Sequence, residues 1–422
     1  MRAKIRSIFA WASLLALAQH AEATSAQLCR APLYAGLVTN RNSALGAATP
    51  ADPWANSRAF FYPRGATLTR IRVVLPCWWS NGGENYSNGP ITYQASIEYP
   101  AGTIDGTFTF GGSTSGSCNG NNVWSDWINL TTPIPNGAMA YFRAWENASA
   151  ASTGILTGYP GTGYAAGGDG IEVSATSVAS KTGGGAIAFT SGFAPIYPLA
   201  IIGMTNQPSV ALDGDSRVTG ILDTGDISGD VGELARSICP YYGCVNLGSP
   251  SELAQRVGNA SGATPYEFTN RENLAPIITD DVDEWGINDV NTSVALATIE
   301  ANQQLIWTTA VFPNAKHFQV TQPPFTASTD GWTTATNQSA LNANFSPLGS
   351  GSVWGQLNSW ELMPHTGLVQ TFPLANTVQP AANDGLWIYS GGPYTTDGKH
   401  ESRNAALIEK NSGVIPPSAF HF

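Results

Sequence analysis

The stretch ALDGDSRVTG, residues 211–220, ends an apolar run against an abrupt turn. Val210, Ala211 and Leu212 read as the end of a buried strand, and Gly214, Asp215, Ser216 and Arg217 follow at once. Asp and Ser favour turns because their short side chains hydrogen-bond the nearby backbone. A serine at that point is therefore either a turn residue or a nucleophile held at the mouth of a sheet. The tripeptide alone does not decide. The second reading needs a base, oxyanion donors and a scaffold from elsewhere in the chain.

Downstream, short apolar runs alternate with helical ones. SPSELAQRV, 249–257, reads as a helix start, with Ser249 as cap, Pro250 at the first helical position and Glu252 at the capping-box position. SVALATIEANQQLIW, 293–307, reads as a second helix, and HFQVTQPPF, 317–325, as a strand stopped by proline. Strand–helix alternation over 198–422 predicts a three-layer α/β/α domain. Upstream, 27–190 has a period of two. In ITYQASIEY, Ile91, Tyr93, Ala95, Ile97 and Tyr99 share one face, and TRIRVVL repeats the pattern. Further runs near 106–110, 123–130, 138–145 and 171–178, divided by Gly, Pro and Asn, predict a β-sandwich of jelly-roll type.

A base for Ser216 must come from His317, His365, His400 or His421. Only His400 has a carboxylate at short spacing, Asp397 in TTDGKHES. An Asp-x-x-His turn lets the carboxylate hold the far ring nitrogen and fix the tautomer. Gly248 stands before the expected helix at 249, where a backbone N–H can face a developing anion. Asn288, in EWGINDV, supplies a neutral side-chain amide.

Taken in order, GDS at 214–216, the Gly of NLG at 248, GIND at 286–289 and DGKH at 397–400 resemble the four signature blocks of the SGNH (GDSL) hydrolases. The resemblance covers about 200–422. It implies a flavodoxin-like fold, Ser216 as nucleophile, His400 as base and Asp397 as its orienter. It also implies oxyanion donors from the backbone N–H groups of Ser216 and Gly248 and the side chain of Asn288. Two departures stand out. Arg217 replaces the usual apolar residue after the serine, which would place a cation at the pocket rim. TDDVDEWG is acidic for a central strand, so Asp283 or Glu284 would face the pocket or the strand would be short.

Composition bounds the remaining choices. Charged residues are 12% of the 422 and the net charge is −11, which argues against nucleic acid as a partner. Arg2, Lys4 and Arg6, the apolar core Ile8–Ala18 and Ala21-Glu22-Ala23 have the form of a signal peptide over 1–23. No later segment reaches membrane-spanning length. The expected location is secreted or periplasmic, where disulfides form. Cys239 with Cys244 would clip a small loop, Cys77 with Cys118 would join two β segments, and Cys29 is left over. No CxxC or HxxxH spacing suggests a metal, and no cofactor is implied. The resulting expectation is an exported serine esterase acting on O-acetyl groups of carbohydrate. A lipid or general ester hydrolase and a non-catalytic carbohydrate-binding surface protein are the alternatives.

Overall fold

The computed structural model describes residues 32–421 apart from 44–45, 48–50, 152, 160–162, 191, 260–267 and 391. The expected signal peptide and Cys29 lie outside the described residues.

The period-two segments form strands. Ile91–Glu98 buries Ile91, Tyr93, Ala95 and Ile97 completely. It pairs antiparallel with Ala140–Asn147, which pairs with Trp54–Phe61, which pairs with Gly170–Ser174. A second sheet is built on Leu68–Leu75, paired antiparallel with Val123–Trp124, Ile128–Ile134 and Ala200–Thr205. The two sheets share one apolar core. Ile71, Val73, Leu75 and Ile201 enter it from one sheet, and Phe61, Ile97, Phe142 and Ile171 from the other. Each such side chain contributes about 2 kcal/mol by leaving water. Cys77–Cys118 and Cys239–Cys244 are disulfides, a pairing that the cysteine positions alone do not determine.

The second half holds a parallel sheet, whose strands we number along the chain as β1 (Asn42–Ser43), β2 (Ser209–Gly214), β3 (Gly243–Asn246), β4 (Asp280–Glu284), β5 (Lys316–Val320) and β6 (Leu368–Phe372). The spatial order is β1-β3-β2-β4-β5-β6, every pair parallel. Alternation along β2 sends Val210 and Leu212 to one face, where Leu234, Ile238 and Phe420 cover them. Ala211 goes to the other face, with Ala254, Val257, Phe268 and Trp307. β2 has β3 on one side and β4 on the other. It is the point where the strand order reverses, where doubly wound sheets place their sites.

The boundary expected between 190 and 198 is not a seam. Ala200–Thr205, beyond it, completes the second antiparallel sheet, while β1, far before it, edges the parallel sheet by pairing with Val245 and Asn246. Ala35–Phe422 is one compact unit. Buried polar groups also tie the halves. Glu84 accepts from the backbone N–H groups of Asn270 (2.9 Å) and Arg271 (2.8 Å), and the Arg271 guanidinium forks onto Glu252 at 2.8 and 2.9 Å.

Two further expectations need correction. The helix expected from 249 begins at Ala254 and runs to Gly258. Its first N–H groups are capped by Asp289, whose carboxylate accepts from Ala254 at 2.7 Å and Gln255 at 3.2 Å. Ser249 instead accepts from Gly83, and Glu252 is committed to Arg271. β4 is neither short nor open to a pocket, since all five of its residues, Asp283 and Glu284 included, are buried.

Candidate active site

β2 ends at Gly214, where φ is +156° and a Cβ would lie 2.4 Å from Val218 and 2.8 Å from the Glu284 carbonyl. Only glycine fits so close a turn. The chain then reverses, with Thr219 and Ile221 donating back to the carbonyls of Asp215 and Ser216. Ser216 is half-buried while its neighbours on both sides are buried.

His400 meets it from a distant loop. Its Nε2 is 2.8 Å from Ser216 Oγ, and its Nδ1 is 2.7 Å from Asp397 Oδ2. An ionised carboxylate only accepts, so Nδ1 carries the proton and the Nε2 lone pair faces the serine hydroxyl. The other oxygen, Asp397 Oδ1, accepts from the backbone N–H groups of Lys399 (2.9 Å) and His400 (3.0 Å). Burial opposes charge on Asp397, but hydrogen bonds from the His400 ring and backbone outweigh it and hold the carboxyl below its usual range. A hairpin of Thr326–Ser328 and Gln338–Ala340 steadies this turn. Thr326 N–H and the Trp387 indole donate to the Gly398 carbonyl at 3.0 and 3.1 Å.

The expected oxyanion donors gather nearby, but two are engaged. Asn288 Nδ2 donates to Asp215 Oδ2 at 3.0 Å and to the Glu252 carbonyl at 3.1 Å, so both its hydrogens are committed. The Gly248 N–H donates to Asn246 Oδ1 at 3.0 Å, in an Asx turn rather than at a helix start. Gly248 packs on the serine turn, where a Cβ would sit 2.8 Å from Thr219 N and 3.0 Å from the Asp215 carbonyl. The Ser216 N–H has no acceptor among the described residues. Sequence reading missed Asp215 and Asn246 as partners of these donors. Each stands inside a signature block, Asp215 in GDS and Asn246 in NLG, but nothing local says which donor it meets.

Arg217 is not a rim cation. Its side chain is 1% exposed and turns inward, where Nε donates to the Lys399 carbonyl at 3.1 Å. Glu284 lies 3.6 Å away and Glu401 3.9 Å. Desolvation works against the guanidinium's charge, but Glu401, Glu284 and Asp215 more than restore it.

Asp281, Asp283 and His317 place three potential metal-ligand atoms within 4.8 Å of one another. His317 Nδ1 is 3.3 Å from Asp281 and 3.5 Å from Asp283. Burial lowers the imidazole's basicity, yet these carboxylates push its pKa up to about 10. The imidazolium thus already supplies positive charge to the trio. A cavity of about 620 Å³ beside Arg58, Glu98 and Arg143 includes none of the expected site residues, and those charges are paired with one another. Among the described residues, no helix is long and apolar enough to cross a membrane.

No family model matches the chain, and no curated protein does. Its neighbours among solved structures are GDSL-type hydrolases and esterases. An acetyl xylan esterase from Geobacillus stearothermophilus is similar at 14% identity over 50% of this chain and 95% of its own, with a TM-score of 0.32. A protein of the G-D-S-L family from Desulfitobacterium hafniense DCB-2 is similar at 15% identity over 49% and 97%, with a TM-score of 0.33. The M. smegmatis aryl esterase is similar at 13% identity over 50% and 98%, with a TM-score of 0.28. Scores this low carry neither fold nor function across, and the linked Ser216, His400 and Asp397 side chains remain the strongest feature of the site.

Proposed function

We propose that the chain is an exported serine esterase of SGNH type, with a flavodoxin-like hydrolase part and a β-sandwich that is built into the same folding unit. The observation that carries this reading is the continuous hydrogen-bonded series Ser216–His400–Asp397, at 2.8 and 2.7 Å. Ser216 Oγ attacks the ester carbonyl as His400 Nε2 takes its proton, and Asp397 stabilises the imidazolium. The Ser216 N–H is ready to meet the oxyanion. Asn288 and Gly248 join it by exchanging their present acceptors, Asp215 and Asn246. His400 returns the proton to the leaving alcohol, and water releases the acid. No step calls for a metal or organic cofactor. The two disulfides fit an oxidising compartment.

The favoured substrate is an O-acetyl group on a carbohydrate. Trp332 stands half-buried beside Gly398, in a loop rich in Ser, Thr, Asn and Gly. That surface offers ring stacking and hydrogen bonds rather than an acyl channel. An apolar slot would add about 0.8 kcal/mol per methylene and favour long chains steeply. The test is a fluorophosphonate label followed by a p-nitrophenyl ester series. Label at Ser216 only, abolished in Ser216→Ala, with kcat/KM highest at acetyl and acetate released from acetylated polysaccharide, is the expected result. A rate rising towards octanoyl hands the site to lipid esters. No label and no turnover makes the protein a binding surface.

A further inference from the structure

The residue after Ser216 reaches the residues on both sides of His400. Arg217 Nε donates to the carbonyl of Lys399, which precedes the base, and lies 3.9 Å from Glu401, which follows it. Among the described residues, the polar contacts joining the 214–220 turn to the 397–401 turn are these two and the Ser216–His400 bond itself. The far end of the guanidinium points at Gln322 Oε1 (3.4 Å) and the Pro323 carbonyl (3.5 Å). That segment is in turn fixed by the helix Val353–Glu361, since Asn358 exchanges hydrogen bonds with Gln322 and the Trp354 indole donates to Pro323 at 2.9 Å.

A guanidinium this deep is costly. An apolar residue of similar volume would avoid the desolvation that Arg217, Glu284 and Glu401 share. An arginine, however, is planar and forked, and can bond several fixed acceptors at set angles. The Ser216–His400 separation needs such control, because the two side chains come from turns 184 residues apart. A shift of about 1 Å between reacting groups costs about a hundredfold in rate.

We propose that Arg217 is a positioning residue, a buried clamp that sets the distance between the nucleophile turn and the base turn. The proposal rests on Ser216 and His400 acting as nucleophile and base. The test compares wild type with Arg217→Met and Arg217→Lys, each scored per active site titrated with fluorophosphonate, so that misfolded molecules do not count. Arg217→Met is expected to lower kcat about a hundredfold with KM little changed, and to slow labelling of Ser216 in parallel. Arg217→Lys, which keeps the charge but not the fork, is expected to recover part of that loss. A residue that only fills the core would lower the melting temperature and leave kcat per titrated site intact. Should Arg217→Met give no soluble protein, the lysine variant decides. A tenfold or greater fall in its kcat supports the clamp, and a kcat within twofold of wild type overturns it. Wild type that is not labelled at Ser216 removes the esterase reading instead, and the clamp with it, which separates the two failures.

Discussion

Asn288 holds two hydrogen bonds before any ester arrives, to Asp215 Oδ2 and to the Glu252 carbonyl. Serving as an oxyanion donor would therefore require it to exchange acceptors. Asp215 resists this exchange. Burial raises its pKa, against the pull of Arg217, so its carboxylate is a more basic and stronger acceptor than a fully exposed one. We expect Asn288→Ala to lower kcat about a hundredfold with little change in KM, the loss usual for one donor. A rise in KM with kcat held would make Asn288 a ground-state tether for Asp215. Ser216, Asp397 and His400 were readable because each sits in a short local block, and Asp397 reaches His400 within one turn. The partner of Asn288 was not readable, because Asp215 lies 73 residues away. Arg217 was misplaced for a different reason: an arginine beside a pocket residue is expected in water, and only the carboxylates of other elements show why it is not.

Ala200–Thr205 is six residues long, and its company is upstream. It pairs with Leu68–Leu75, and Ile201 enters the core shared by the antiparallel sheets. A chain beginning at Pro198 would strip this strand of its partner and leave Ile201 without the antiparallel core that covers it. It would also remove Glu84 from Asn270 and Arg271, and β1 from β3. Losing a buried ion partner alone costs about 3–5 kcal/mol, a large share of a domain's stability. Such a truncated protein should be insoluble or lack a cooperative melt by circular dichroism. A soluble product with normal esterase activity would show that the hydrolase part folds alone. The long alternating strands were legible in sequence because alternation repeats. β1 was not, since two residues carry no period. The late start of the helix at Ala254 was hidden too, because its cap, Asp289, comes from another segment.

Across the molecule, carboxyl groups are buried on both faces of β4. Towards one side, Glu284 meets Glu233, Glu401 and Glu409 with Arg217 among them. Burial first and mutual repulsion next push Glu233 and Glu409 well up, while burial raises Glu284 and Glu401 to about 7 against the pull of Arg217. Towards the other side, Asp281 and Asp283 flank His317 and Asp213 lies against Asp281, with Asp283 raised to about 7 by burial and by Asp281. DDVDE was hard to place because polar residues are read as exposed, and these are held inside by protons and by one another. A carboxyl raised in the fold makes the native state bind more protons than the unfolded chain between about pH 4 and 7, so stability falls as pH rises through that window. His317, raised to about 10, acts in the same direction, contributing fully below about pH 6.5 and losing its part as pH climbs through 10. Carboxyls lowered in the fold oppose this, among them Asp397 and Glu98, the latter held, despite burial, at about 2 by Arg58, Gly102 and Arg143, but they matter only in stronger acid. The melting temperature should thus be higher at pH 5 than at pH 8 by about 5 °C or more, and Glu409→Gln should flatten that slope. A melting temperature that is level or rises from pH 5 to 8 would mean that these groups are ionised in the fold. One last consequence concerns timing. A ribosome releases Asn42–Ser43 some two hundred residues before the strand they pair with, Val245–Asn246, and the antiparallel core waits for Ala200–Thr205. Pairings this far apart in the chain close slowly, so the newborn protein stays unfinished until most of it has been made.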